Sequence, residues 1–233
     1  MTGHTYRTFD TELERIRGGV LEMGGLVETQ VANAIEGIRT GNVALLEQVI
    51  DNDHRVNLLE RSIDDDCNHI IAKRQPAAAD LRLVMTVIRS ISDLERIGDE
   101  AKKMAKAGRR LQSAELPFVP RVDFSHSTGI ALDMLRKALD GFARYDDSRL
   151  AEIKAQDAEV DAGFKGTMRQ LITFMMEDPR TITSSLDLLF IAKSIERVGD
   201  HAKNIAEFVT FLVEGSDVRH SKSVAAQEAA RNQ

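Results

Sequence analysis

Tryptophan is absent from this chain, cysteine occurs once, tyrosine twice and proline four times in 233 residues. The single cysteine, Cys67, excludes an internal disulfide and fits a reducing compartment. So few aromatics and prolines, with glycine sparse outside a few places, suit helices better than a sheet-rich fold. Long apolar runs are missing too. Stretches such as 188–192 fall far below the ~20 residues that span a bilayer, and the first eighteen residues hold no apolar core of a signal peptide. A basic excess is also missing. With 37 acids against 31 bases the net charge is −6, which argues against a nucleic-acid binder, since that function needs a basic stripe for phosphates. The expectation is a cytoplasmic protein that meets a membrane only by docking to a membrane protein. Catalytic signatures are thin. There is no glycine-rich phosphate loop, no Cys-x-x-Cys, no nucleophile on a recognisable elbow, and no set of arginines placed as a phosphate pocket.

What is present is a repeat. Residues 94–105 read LERIGDEAKKMA and residues 195–206 read IERVGDHAKNIA. Between 95–105 and 196–206, seven of eleven positions are identical at a constant offset of 101. The chain therefore reads as two copies of one unit, each with a Glu-x-x-x-Asp.

Apolar periodicity gives six helices. The first covers about 10–40, with Leu13, Ile16, Val20, Met23 and Val27 on one seam. Gly18, Gly19, Gly24 and Gly25 interrupt it; close packing of another helix explains them, and a kink is the alternative. Gly41-Asn42 stops it and caps a second helix that ends at Gln75-Pro76. Asp80 is the expected cap of the third, which runs through Leu81, Val84, Ile88, Ile91 and Leu94 into the first motif. Residues 113–122 carry two of the four prolines and read as a linker. Asp123 or Ser125 caps a fourth helix, Asp146-Asp147-Ser148 breaks it, and a fifth ends at Asp178-Pro179. The sixth runs from about 183 to 213 through the second motif, and 215–233 read as a frayed or disordered tail. The expected fold is all-α: two pseudo-symmetric three-helix bundles over residues 8–112 and 123–214.

Glu and Asp four apart lie on one helix face, where like charges destabilise by about 0.2–0.5 kcal/mol. Something positive has to compensate. Arg96 and Lys102, or Arg197 and Lys203 in the second copy, are the plain candidates, making a salt-bridged face. A bound cation is the other: all-oxygen carboxylate clusters suit hard cations, iron and manganese. Two acids do not complete a coordination sphere, so Asp53 and Asn57 on the second helix, or Asp157 and Asp161 on the fifth, are possible contributors. A ferritin-like di-iron site fits poorly. Asp51/His54 and Asp66/His69 have its spacing but share one helix, where the class draws its ligands from several. Gly98 and Gly199, in mid-helix, imply a close approach to the backbone there. Cys67, among Asp64, Asp65 and Asp66, reads as structural.

At the duplicated ERIGD and ERVGD the chain resembles the PhoU family of phosphate-transport regulators. The likeness extends over residues 5–214 and includes Gln75-Pro76 followed by Asp80-Leu81-Arg82. It implies two three-helix bundles and multinuclear metal on Glu95 with Asp99 and on Glu196 with Asp200, the metal being iron or another divalent cation such as manganese, zinc or magnesium. Asn204 matches a further family position, where the first copy has Lys103. The likeness also implies a non-enzymatic negative regulator of phosphate uptake and of the phosphate two-component response. It further implies the transporter's ATPase subunit and a sensor histidine kinase as partners, and a homodimer. Arg96 and Arg197 are the expected partner contacts. A carboxylate-bridged metalloenzyme, a phosphatase or an oxidase, is the alternative.

Overall fold

A computed structural model describes residues 2–113 and 119–215, with side chains placed from residue 8 onward except that of Ser113. Six α-helices and one short 3-10 turn make up the ordered elements among the described residues: α1 Thr2–Thr40, α2 Val43–Arg74, α3 Ala78–Ser113, α4 Ser125–Arg144, α5 Leu150–Glu177 and α6 Ile182–Glu214, with the turn at Pro179–Thr181. The expected tail beyond residue 215, and 114–118 of the expected linker, lie outside the described residues.

The boundaries have local causes. Gly41 takes φ +68°, a conformation that costs glycine little, and Asn42 then caps α2 by accepting from the Leu45 amide at 3.1 Å. Gln75 ends α2 in the left-handed region, immediately before Pro76. Three expectations are corrected. α1 begins eight residues before Asp10. Asp80 sits inside the first turn of α3 rather than capping it. At α4 the cap position is Phe124, which makes no side-chain cap bond, although Asp123 accepts from the Ser125 amide at 2.9 Å.

Each trio, α1–α3 and α4–α6, packs mutually, and the two trios share one continuous apolar core. Among the described residues α2 packs only on α1 and α3, and α5 only on α4, α6 and the 3-10 turn, so α2 and α5 are the outer helices. The trios join through α3 against α6, the most extensive helix contact in the molecule, and through α1 against α4. Gly24 belongs to that second contact: a Cβ there would meet Leu139 of α4 at 2.5 Å, and one on Gly19 would meet Ile63 of α2 at 2.9 Å. Close packing thus accounts for these two. Gly18 and Gly25 face no side chain within 4 Å, and nothing in the packing explains them.

Candidate functional site

The two motifs occupy equivalent places. In the first half, Glu95 and Asp99 of α3 look toward α2. An α2 acid, Asp53, is almost wholly buried there, and Lys102, one turn beyond the motif, bonds its carboxylate at 2.6 Å. Asn57 reaches the same carboxylate at 3.4 Å. Glu95 is held above the usual carboxylate range, first by burial and then by the charges of Asp99, Glu60 and Asp53. Lys102 is held above its ordinary value by the bond to Asp53, which outweighs burial, and by the charges of Asp53, Asp99 and Glu95. In the second half Lys203 bonds Asp157 of α5 and reaches Asp200 at 3.2 Å. Burial pushes Asp157 up, partly offset by the lysine, while Asp200 and Asp161 add to the rise. Burial lowers Lys203, but its bonds and charges with Asp157 and Asp200 raise it by more. Glu196 pairs with Lys193.

The mid-helix glycines admit the outer helix. A Cβ on Gly98 would stand 3.2 Å from Val56 Cγ1 of α2, and one on Gly199 would stand 3.7 Å from Val160 Cγ1 of α5 and from Met134. Val56 and Val160 follow Asp53 and Asp157 by three residues, so each valine lies one helical turn from the acid that the lysine holds. The glycine and the lysine–aspartate pair together set how an outer helix seats on a motif helix.

The structure thus brings Glu95 and Asp99 together with Asp53, Glu60 and Lys102, and brings Asp200 together with Asp157 and Lys203. It sends Asn204 elsewhere: the Asn204 side chain donates to Asp93 of α3 at 3.3 Å. Lys103, its counterpart, bonds Glu100 at 2.9 Å. Arg197 meets Glu100 across the helix boundary at 3.2 Å, and Arg96 is exposed. The donor chemistry of the grooves, carboxylates and an amide, suits a hard cation. The arrangement as it stands does not: the acids share a groove, but among the described residues no three His, Cys, Asp or Glu side chains are set so that they could hold one metal ion, and in each half a lysine ammonium supplies the positive charge. Cys67 is buried, its thiol pushed up to about 12 by burial and then by Asp64 and Asp66.

A second polar cluster lies between α3 and α6. His201 Nδ1 stands 2.6 Å from an Asp93 carboxylate oxygen, with both side chains buried. Ser194 donates to Glu100 at 2.8 Å. Positions 93 and 194, like 100 and 201, differ by the repeat offset of 101, so these bonds are the same bond made twice across a pseudo-twofold axis by antiparallel helices. Sequence reasoning missed both. A signal was present: Glu100/His201 and Lys103/Asn204 are the polar positions where the two motif copies differ.

The comparisons agree with this layout. The PhoU domain matches residues 20–108 and 125–209, one match per half. The phosphate-specific transport system accessory protein PhoU homolog of Pseudomonas aeruginosa is 43% identical over 234 residues, covering all of this chain and 96% of that protein. The accessory protein PhoU of Escherichia coli is 44% identical over 93% of this chain and 90% of its own length. The crystal structure of PhoU from P. aeruginosa superposes with a TM-score of 0.84 at 44% identity, covering 89% of this chain and all of that one. The phosphate transport system regulatory protein PhoU from Streptococcus pneumoniae superposes with a TM-score of 0.81 at 29% identity, covering 90% of this chain and 99% of that one. The chain belongs to the PhoU family.

Proposed function

We propose that this protein is a negative regulator of high-affinity phosphate uptake and of the phosphate two-component response. In this reading it is a cytoplasmic adaptor between the ATPase subunit of a phosphate ABC transporter and a sensor histidine kinase, and it works as a homodimer without catalysis. The full-length relatives named as accessory proteins of the phosphate-specific transport system support the regulatory part. Among the described residues no helix is long and apolar enough to cross a membrane, which fits attachment through partners. One observation carries the non-enzymatic part. The neighbouring-helix acids that would complete a catalytic carboxylate set, Asp53 and Asp157, are engaged by Lys102 and Lys203, as is Asp200, and the one histidine inside a motif, His201, is turned toward Asp93 instead.

The test is a chromosomal deletion carrying a phosphate-starvation reporter, grown in high phosphate. Constitutive reporter activity restored to repression by the intact gene supports the reading. Unchanged repression in the deletion overturns it. Purified protein sedimenting as a monomer at micromolar concentration removes the homodimer.

Metal is a separable second proposal: a hard divalent cation or iron on Glu95 with Asp99 and on Glu196 with Asp200, bound in competition with the lysines. Asp53 and Asp157 are the acids each lysine would release. Elemental analysis of purified protein, followed by melting with and without chelator, tests it. A ligand that binds only the folded state raises the melting temperature, so chelation lowers it if the grooves are loaded. Protein shown to be loaded that melts unchanged after stripping overturns it.

A further inference from the structure

The chain is acidic overall, yet the outer face shared by α3 and α6 is not. On α3, Arg96, Lys103 and Arg110 recur every seven residues and are all exposed; on α6, Ile182, Leu186, Phe190, Lys193 and Arg197 recur at spacings of four, four, three and four and are exposed too. Both series are single stripes of a helix. They adjoin, because Lys103 and Arg197 meet on the same Glu100 and Arg110 reaches Asp187. In each of these pairs the acid lies below and the base projects. Glu100 is 3% exposed against 52% for Lys103 and 45% for Arg197. Glu196 and Asp187 lie deep beneath Lys193 and Arg110 in the same way. Four bases stand over three acids in these pairs, and the surface presented to a partner is cationic.

Apolar groups stand beside these cations. Phe190 is 60% exposed and Leu186 is exposed one turn before it. The repeat shows that this is no requirement of the fold. The counterpart of Phe190 in the first half is Arg89, at the offset of 101, and Arg89 is covered by the rings of Phe208 and Phe211 at 5.8 and 5.2 Å. The positions equivalent to those rings are Ala107 and Arg110, which offer Phe190 no aromatic cover. The same architecture therefore closes one end of the α3/α6 face and leaves the other apolar and basic.

We propose that the face formed by Lys103, Arg96, Leu186, Phe190, Lys193 and Arg197 docks an acidic amphipathic helix of a protein partner. Its glutamates or aspartates would meet the projecting cations, and its apolar side chains would cover Phe190 and Leu186. Residues 186–197 span about 17 Å along α6, the length of roughly three turns of a docked helix. The proposal rests on the adaptor reading for the existence of a protein partner, but not for the place or chemistry of the surface. Charge complementarity selects an acidic partner, and an exposed aromatic on the same helix stripe as Lys193 and Arg197 has the residue types of an interface centre.

The experiment uses the full chain and a fluorescein-labelled twenty-residue helical peptide of Glu, Ala and Leu, with its leucines on one face. A version with every Glu replaced by Lys is the control, and binding is read by anisotropy. The acidic peptide is expected to bind the wild type at least tenfold more tightly than the lysine peptide does. Phe190→Ser and the pair Lys103→Gln with Arg197→Gln each weaken it tenfold or more, and raising salt from about 50 to 300 mM weakens it further. Phe190 is exposed, so its substitution leaves the melting curve in place and serves as the variant that reports binding alone. Wild-type affinity in both variants, or equal affinity for the two peptides, overturns the proposal. So does a vesicle of phosphatidylglycerol that takes up the protein with the same variant dependence while the peptide does not, which makes the face a membrane contact. Phe190→Ser splitting a dimer into monomers in sedimentation also overturns it, because a second copy is then the occupant. The peptide assay contains neither transporter nor kinase, so its failure leaves the phosphate reading intact, and failure of the reporter test leaves the peptide result intact.

Discussion

Lys102 and Lys203 decide the chemistry of this molecule residue by residue. A carboxylate buried like that of Asp53 is costly unless paired, and breaking such a pair strands the remaining charge. Lys102→Met is therefore expected to destabilise the fold by about 1.5–3 kcal/mol, read by urea unfolding. Adding Asp53→Asn recovers part of that loss, and a double variant no more stable than Lys102→Met alone would show that the pair is not coupled. Glu95 behaves oppositely, because its ionised form is disfavoured in the fold. Its contribution is present when the carboxyl is protonated and is lost as pH rises through its raised value. In chelator, Glu95→Gln is expected to melt higher than the wild type at pH 7, by an amount equivalent to about 0.2–0.5 kcal/mol for each like-charge neighbour relieved, and the gap is expected to close toward pH 4.5. A lower melting point at pH 7 would mean that Glu95 gains more from a cation than it loses to Asp99. At the α3/α6 seam, Asp93→Ala removes the partner of His201 and of Asn204 and is expected to cost about 1–3 kcal/mol.

At the level of helices, the repeat and the two trios were legible and the pairing of α3 with α6 between them was not. Asn42, Gln75-Pro76 and Asp178-Pro179 announce their boundaries because capping and proline sterics act within a few residues. The extra turns at the start of α1 read against the helix, since Thr2–Phe9 carries Gly3 and the cap-type residues Thr2, Thr5 and Thr8. The contributors Asp53 and Asp157 were readable as acids on the neighbouring helix, and Lys102 and Lys203 as counter-charges. The destination of Asn204 was not: four residues from Asp200, it belongs by spacing to the motif face, yet its bond goes to a residue 111 positions away. A buried aspartate or histidine looks locally like an exposed one, and only the tertiary fold shows which partner neutralises it. The two motif glycines separate in a way that can be measured. Gly199 has room for a methyl at ordinary contact distance, so Gly199→Ala is expected to stabilise by up to about 1 kcal/mol through helix propensity. At Gly98 the same change presses on Val56 and is expected to gain less or to lose. Equal shifts in the two variants would refute the packing argument.

For the whole molecule, the continuous core matters more than the duplication. Met104, Ile97, Val198 and Ile205 are fully buried on the two helices that join the halves. An isolated half, such as residues 8–112, would expose the apolar side of α3 and of α1, each large buried side chain forfeiting about 1.5–3 kcal/mol. Residues 8–112 expressed alone are therefore expected to aggregate or to give a dye-binding compact state without a cooperative melt. A sharp two-state transition from that fragment would make the halves autonomous domains.

The pseudo-twofold relation between α3 and α6 has one more consequence. Two identical copies would offer every visitor two equivalent berths, head-first and tail-first, and a single chain would titrate with two equivalents. Glu100 against His201 and Arg89 against Phe190 break that tie. One end of the seam is sealed by aromatic rings over a guanidinium, and the other is left bare. A molecule assembled from a palindrome thereby acquires a direction, and the proposed docking helix has one berth per chain rather than two.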